Sequence, residues 1–147
     1  MSDTCIICQE QAGEVEVPGG YLLEDEDVVA FHVPPLSDRT CYLGHLLVTP
    51  RRHCPDFAGL DRHEAQAVGA AIATCSAALK RLGTERVYVA TIGHRVGHLH
   101  VHLLARWPGT PDDVPWHAVD EWDGARRGGA SEIALLVESL RVRIEPA

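Results

Sequence analysis

The chain has 147 residues, of which 46% are hydrophobic and 23% are charged, proportions typical of a soluble globular protein. A net charge of −8 argues against a broad nucleic-acid or anionic-membrane surface, although a small phosphorylated ligand needs only a local group of positive side chains. We therefore expect one domain over residues 1–147, with no stable nucleic-acid partner and no membrane partner.

The start of the chain is polar, and no apolar segment of about twenty residues follows, so we expect neither a signal peptide nor a membrane span. The five cysteines are an odd number. Without an export signal, they are expected as reduced thiols or metal thiolates. These observations predict a cytoplasmic protein.

Hydrophobic periodicity predicts strands and helices separated by turn residues. The predicted strands cover residues 21–24, 28–31, 42–49, 87–92 and 99–105. One helix begins after Asp61, where Glu64 completes the spacing of a capping box, and ends at Gly83. A second covers residues 131–144, after a Pro- and Gly-rich segment, 107–129, that is expected as a long ordered loop. The predicted class is α+β, a five-stranded, mostly antiparallel sheet with two main helices.

Histidines alternate with aliphatic residues in one short run: His98, Leu99, His100, Val101, His102 and Leu103. Strict alternation is typical of a half-buried strand, so the three imidazoles should project from one face while the aliphatic side chains fill the core. The outer two histidines would then lie roughly 13 Å apart, too far for one metal ion to hold all three. One such histidine is ordinarily a surface or satisfied core residue, but three favour a functional site with separate tasks.

Cys5 and Cys8 form a C-x-x-C pair near the N-terminus. A redox pair usually stands where a strand opens a helix, and no strand precedes this one. Two thiolates and two imidazoles would complete a tetrahedral zinc site, for which His53 and His98 are candidates, and the alternative is two thiols without a ligand. The other three cysteines are expected to be structural: Cys41, Cys54 and Cys75.

A second block, residues 44–53, has the sequence Gly-His-Leu-Leu-Val-Thr-Pro-Arg-Arg-His. Its glycine permits a close backbone approach, and His45 and His53 flank a strand. Together with the histidine run, the C-x-x-C pair and the strand ending Val29-Ala30-Phe31, this block resembles the histidine triad (HIT) family. The resemblance covers about residues 4–106, and residues 107–147 would form a loop and helix outside it.

The resemblance implies a HIT-like fold and a nucleotidyl hydrolase or transferase. Its substrates would be nucleoside 5′-phosphate derivatives, such as dinucleoside polyphosphates or nucleoside phosphoramidates. His100 would attack the α-phosphorus and form a nucleotidyl-histidine, His102 would bind the phosphate oxygens, and His45 would support this pair. A structural zinc ion would be held by four side chains: Cys5, Cys8, His53 and His98. The sheets would pair across a homodimer, with the helix after Asp61 and the strand 87–92 as candidate surfaces.

Three positions, in two segments, depart from the pattern of many family members and bear on substrate choice. The residue two after Phe31, an acidic group that holds the ribose in those members, is Val33 here. The Gln-Ser pair that touches the phosphate and leaving group is replaced by His94 and Arg95. We expect these four residues and His102 to line the substrate site, with weak discrimination against deoxyribose and a preference for phosphate-bearing leaving groups.

Two other functions stay open on the sequence. A non-catalytic nucleotide-binding protein of the same fold would need no nucleophile, although His100 is intact. A metalloenzyme would hold a catalytic ion on His98, His100 and His45, although no carboxylate stands in the same run.

Overall fold

The computed structural model describes residues 5–36 and 39–144. Its strands are Tyr21–Glu24 (β1), Val28–His32 (β2), Cys41–Tyr42 (β3), His45–Pro50 (β4), Arg86–Ala90 (β5), Val101–Arg106 (β6) and Arg127–Gly128 (β7). Its α-helices are Ile6–Ala12 (α1), Arg62–Arg81 (α2) and Ala130–Arg141 (α3), with short 3-10 helices at Phe57–Gly59 and Trp116–Ala118. The main sheet has the order β1-β2-β4-β6-β5 with antiparallel neighbours throughout, and β3 pairs separately with β7. The α+β class and the five-stranded sheet are confirmed.

Alternate residues along each strand go to opposite faces of the sheet. One face forms the main core with α2, to which β4 contributes Leu46 and Val48 and β6 contributes Val101 and Leu103. The opposite face carries what we call the histidine-face cluster, made of Cys5, Ile7, Cys8, Val29, Phe31 and Leu47. Helix α1 therefore lies on the face to which the histidines of β4 and β6 are directed.

The start of α2 is fixed by a capping box, as the sequence predicts. The Asp61 carboxylate accepts from the Glu64 N–H at 2.8 Å, and the Glu64 carboxylate accepts from the Asp61 N–H at 2.9 Å. The Arg52 guanidinium donates to both Glu64 carboxylate oxygens, each at 2.6 Å, and these bonds lower the pKa of Glu64 to about 2. The loop after β4, which carries His53, is thereby tied to the helix.

The segment 107–129 is held to the sheet by a buried cation. Arg106, at the end of β6, donates to the carbonyls of Thr110, Pro111 and Val114. The segment also contains the second 3-10 helix and β7, as expected of an ordered loop. Helix α3 packs on β1 and β2, and its Arg141 donates to two carbonyls at the start of β1.

The single strand expected over residues 42–49 is wrong, because the chain turns at Gly44 between β3 and β4. Gly44 has a φ of +98°, and a Cβ at this position would lie 2.7 Å from the Ala105 Cβ. A residue with a side chain is therefore excluded from a turn that brings His45 to the start of β4.

Several element boundaries also differ from those predicted. The last strand begins at Val101 rather than at residue 99, β5 ends at Ala90 rather than at residue 92, and α3 ends at Arg141 rather than at residue 144. Helix α1 has seven residues and no side-chain cap, so periodicity does not reveal it. Within the described ranges, no helix has the length and hydrophobicity needed to cross a membrane.

Candidate active site and metal centre

The histidine run divides where β6 begins. Its aliphatic residues are buried in the main core, as predicted, but His98 and His100 lie before the strand and His102 lies within it. His98 is fully buried, whereas His100 and His102 are half-buried, with ring centroids 5.0 Å apart at an interplanar angle of 79°. The three imidazoles therefore belong to two different clusters: His98 lies in one, and His100 and His102 lie in the other.

The first cluster consists of Cys5, Cys8, His53 and His98, whose ligand atoms all lie within 4.8 Å of one another. The His98 Nδ1 lies 3.6 Å from the Cys5 Sγ and 3.4 Å from the Cys8 Sγ, and the His53 Nδ1 lies 3.4 Å from the Cys8 Sγ. A tetrahedral zinc ion, about 2.3 Å from sulfur and about 2.0 Å from nitrogen, separates its sulfur and nitrogen ligands by about 3.5 Å. The donor set and its spacing therefore fit one zinc ion.

The orientation of His98 is set by its other ring nitrogen. Nε2 lies 2.9 Å from the Pro50 carbonyl, which accepts hydrogen bonds and cannot donate one. In a neutral ring, Nε2 then carries the proton and Nδ1 presents its lone pair to the thiols. Burial lowers the pKa of His98 and favours this neutral form.

His100 shows the opposite arrangement. Its Nδ1 lies 2.7 Å from the His98 carbonyl, so in a neutral ring Nδ1 carries the proton and Nε2 carries the lone pair. The backbone carbonyl of His100 accepts a hydrogen bond from the Thr91 hydroxyl at 3.0 Å. No sequence motif predicts this contact. His100 is therefore anchored through its ring and its backbone, with Nε2 left for chemistry.

His45 and His102 form an imidazole pair, with the His45 Nε2 2.9 Å from the His102 Nδ1. Burial, reinforced by the neighbouring His102, lowers the pKa of His45 to about 3. Burial also lowers the pKa of His102, and His100 adds to this effect. Both rings are therefore neutral near pH 7, and one donates to the other.

A groove of about 320 Å³ lies against His100 and is lined by residues 92–96. Within this lining, His94 and Arg95 are exposed beside the histidine. Phe31 is fully buried in the histidine-face cluster, and Val33 packs against that cluster. Of the substrate-binding residues predicted, His94 and Arg95 thus share a groove with His100, while Phe31 is not among the residues that line it.

The HIT domain family matches residues 14–109, and the chain belongs to this family. An uncharacterized HIT-like protein of Methanocaldococcus jannaschii is 28% identical over 124 residues, covering 81% of this chain and 92% of its own. An uncharacterized HIT-like protein of Mycoplasma genitalium is 31% identical over 116 residues, covering 72% of this chain and 75% of its own.

Solved structures show the same fold. A Hit-like protein involved in cell-cycle regulation from Bartonella henselae superposes with a TM-score of 0.73 at 18% identity, covering 97% of this chain and 98% of its own. A Zn-bound histidine triad family protein from Mycobacterium smegmatis superposes with a TM-score of 0.71 at 19% identity, covering 97% of this chain and 96% of its own. Family membership supports a nucleotide-binding hydrolase or transferase as the class of protein.

Proposed function

We propose that this protein is a nucleotidyl hydrolase or transferase that cleaves nucleoside 5′-phosphate derivatives at the α-phosphate. The observation that carries the proposal is the state of His100. Its Nδ1 is fixed by the His98 carbonyl, and among the described residues its Nε2 has no hydrogen-bond partner at the edge of the groove. An imidazole held in one tautomer, with its other nitrogen exposed to substrate, is a suitable nucleophile.

In the proposed reaction, the lone pair of the His100 Nε2 forms a bond to the α-phosphorus. The bond from phosphorus to the leaving group breaks, and the leaving group departs with the electron pair and takes up a proton from solvent. Water then attacks the phosphorus of the nucleotidyl-histidine and loses a proton to solvent, while the bond between phosphorus and Nε2 breaks. This step releases the nucleoside monophosphate and returns His100 to its neutral form. Throughout, the His98 carbonyl stabilises the positive charge that develops on the imidazole.

His102 is proposed to bind the non-bridging phosphate oxygens, with His45 as its supporting residue. If the His45 Nε2 donates to the His102 Nδ1, the proton of the neutral His102 ring must lie on Nε2, from which it can be donated to phosphate. The lowered pKa values of both residues favour this neutral pair. His45 thus sets the donor direction of His102.

A structural zinc ion is proposed on Cys5, Cys8, His53 and His98. The donor set and spacing support it, and the fold neighbour from Mycobacterium smegmatis is Zn-bound. When bound, the ion would cross-link the segments that carry its four ligands. It would not act as a Lewis acid toward substrate, because the four protein ligands complete its tetrahedral shell. The cluster joins the segment around α1 to the loop after β4 and to His98, whose carbonyl anchors His100.

Substrate choice is proposed to depend on Arg95 and Val33. Arg95 adds a guanidinium to the groove beside His100, and guanidinium binds phosphate oxygens in a bidentate manner. Val33 has no side-chain acceptor for ribose hydroxyls. We therefore propose a preference for phosphate-bearing over amine leaving groups, with weak discrimination between ribose and deoxyribose.

We further propose that the protein is one cytoplasmic domain that acts as a homodimer. Strand β5 is an edge of the sheet, and its exposed Val89 lies in a groove that Trp116 also lines. An isologous contact of two such edges would cover this surface. Light scattering should give a mass twice the 16.0 kDa of the chain, and a mass of one chain at micromolar concentration would disprove the dimer.

The proposed activity can be tested directly. Purified protein is incubated with dinucleoside polyphosphates, nucleoside phosphoramidates and adenylylated compounds, and quenched samples are analysed by mass spectrometry. We expect release of nucleoside monophosphate and a nucleotidyl adduct on His100. Nucleotide binding without turnover or adduct would instead identify a binding protein of the same fold. The metalloenzyme alternative, which needs His98 and His100 on one ion, is disfavoured because both ring nitrogens of His98 are engaged by the thiols and the Pro50 carbonyl.

A further inference from the structure

His32, the last residue of β2, is a buried histidine that belongs to neither cluster. Its side chain is 0% exposed, and alternation along β2 places it on the side of Val28 and Ala30, in the main core. Both ring nitrogens are engaged. Nδ1 donates to the Val33 carbonyl at 2.8 Å, and Nε2 accepts from the Gly44 N–H at 3.0 Å.

Three polar backbone groups of Gly44 and His45 are hydrogen-bonded at the turn. The Gly44 N–H is bound by His32, and the Gly44 carbonyl accepts from the Ala105 N–H at 3.0 Å. The His45 carbonyl accepts from the Val33 N–H at 2.9 Å. Because Gly44 has a positive φ and no space for a Cβ, its own backbone preference does not hold this geometry.

We propose that His32 is a positioning residue for the His45–His102 pair: its ring joins the end of β2 to the Gly44 turn and fixes the point from which His45 reaches His102. The effect on turnover rests on the proposed function, whereas the effect on the pair does not. Without the Nε2 acceptor, the buried Gly44 N–H would lose its partner and the turn would move to recover one.

Three substitutions separate positioning from filling of space. His32→Gln retains an amide oxygen that can reach the Gly44 N–H. His32→Asn has a shorter side chain that reaches the Val33 carbonyl and not the Gly44 N–H. His32→Leu fills similar volume without a polar atom. His63→Leu, at an exposed histidine on α2, is the matched control for the same chemical change.

The primary measurement is the ¹⁵N NMR spectrum of the imidazoles in metal-loaded protein, because ring nitrogen shifts report protonation and hydrogen bonding. We expect the His45 and His102 signals to change in His32→Leu and His32→Asn, and to stay near wild type in His32→Gln and His63→Leu. With a dinucleoside polyphosphate, His32→Leu should lower kcat by roughly a hundredfold, more than it changes KM, since a misplaced group costs about this much. Metal content should not change.

Unchanged His45 and His102 signals in a folded His32→Leu protein would overturn the proposal. So would equal impairment of His32→Gln and His32→Leu, which would indicate a need for the imidazole itself rather than for its acceptor. If His32→Leu does not fold, the ¹⁵N signals of His45 and His102 in His32→Asn provide the same test of the proposal. If wild-type protein turns over no nucleotide, the proposed function fails, and the signals still decide the role of His32.

Discussion

The first two histidines of the run, His98 and His100, are two residues apart but differ in how their ring nitrogens are used. In His98, Nε2 donates to the Pro50 carbonyl and Nδ1 faces two thiols, so both nitrogens are engaged in a buried cluster. In His100, Nδ1 is bound to the His98 carbonyl and Nε2 is left at the groove. The carbonyl opposite each ring thus selects the nitrogen that carries the lone pair.

The metal side and the reactive side are joined by the hydrogen bond between the His98 carbonyl and the His100 ring. We therefore expect a change on the metal side to reach the reactive side in weakened form, and a change on the reactive side to leave the metal in place.

Removing the proposed nucleophile should abolish chemistry and spare the metal. His100→Ala should lower turnover by at least about 10⁴-fold, because no other group replaces the covalent step. The variant should keep its zinc and its fold, since His100 is only half-buried. Steady-state kinetics and elemental analysis test both expectations, and near-normal turnover would contradict the mechanism.

Removing a metal ligand should have the reverse result: loss of the metal and of stability, with part of the turnover retained. Cys8→Ser should lose the metal and lower Tm by at least about 5 °C, because the cross-link between α1, the loop after β4 and His98 is lost. Turnover should fall less than in His100→Ala, since the nucleophile remains. Cys41→Ser, at a half-buried cysteine that donates to the Val33 carbonyl, is the matched control and should retain metal. If protein purified without chelator contains no zinc, or if metal loss abolishes turnover in folded protein, the structural assignment is wrong.

Restoring an acceptor for ribose should sharpen the selectivity for the sugar. Val33→Asp should raise the preference for ribonucleotide over deoxyribonucleotide substrates by about tenfold to a hundredfold, the equivalent of a charged hydrogen bond of about 1.5–3 kcal/mol. The kcat/KM ratio on matched substrates measures this preference. A wild-type ribose preference already above about a hundredfold would show that another group binds the ribose.

The reactive side should also make stability depend on pH. The pKa of His45 is about 3 in the folded protein against 6.5 for the ordinary side chain, so the unfolded chain binds more protons between these values. The free energy of unfolding should therefore be fully retained above pH 6.5 and fall as pH decreases, by up to about 1.4 kcal/mol per pH unit. His45→Gln, which keeps a donor toward His102 but does not titrate, should have a shallower slope. Burial raises the pKa of Glu10 to about 7, so this carboxyl also titrates at about pH 5–7, and the difference between the slopes of the two metal-loaded proteins isolates His45. Equal slopes would refute this assignment.

The preference between leaving groups should depend only weakly on Arg95. Arg95→Ser should reduce the preference for a dinucleoside polyphosphate over a phosphoramidate by about threefold to tenfold, because Arg95 is exposed and its contact with phosphate is screened by water. The ratio of kcat/KM values for the two substrates is the measurement. An unchanged ratio would place Arg95 outside the substrate site.

Sequence alone determined the elements whose signals are local. The capping box at Asp61 and Glu64 forms as predicted, and the turn between the two predicted strands β1 and β2 likewise depends on groups a few residues apart. In that turn, the Asp25 carboxylate accepts from the N–H groups of Asp27 and Val28, each at 2.8 Å. The alternation of the histidine run likewise predicts which of its residues fill the core. The family resemblance also predicts the four residues proposed to bind zinc, and the structure brings their side chains together.

Tertiary structure decided what depends on partners distant in the chain. The start of β6 at Val101, which separates His98 and His100 from the strand, depends on pairing with β4 and β5. The tautomers of His98, His100 and His32 are set by carbonyls and an N–H whose positions arise from folding. Alternation along a strand fixes the side to which a residue points, but a neutral imidazole has two nitrogens. Only the groups that meet each ring in three dimensions determine which one donates and which one is left for a metal ion or a phosphate.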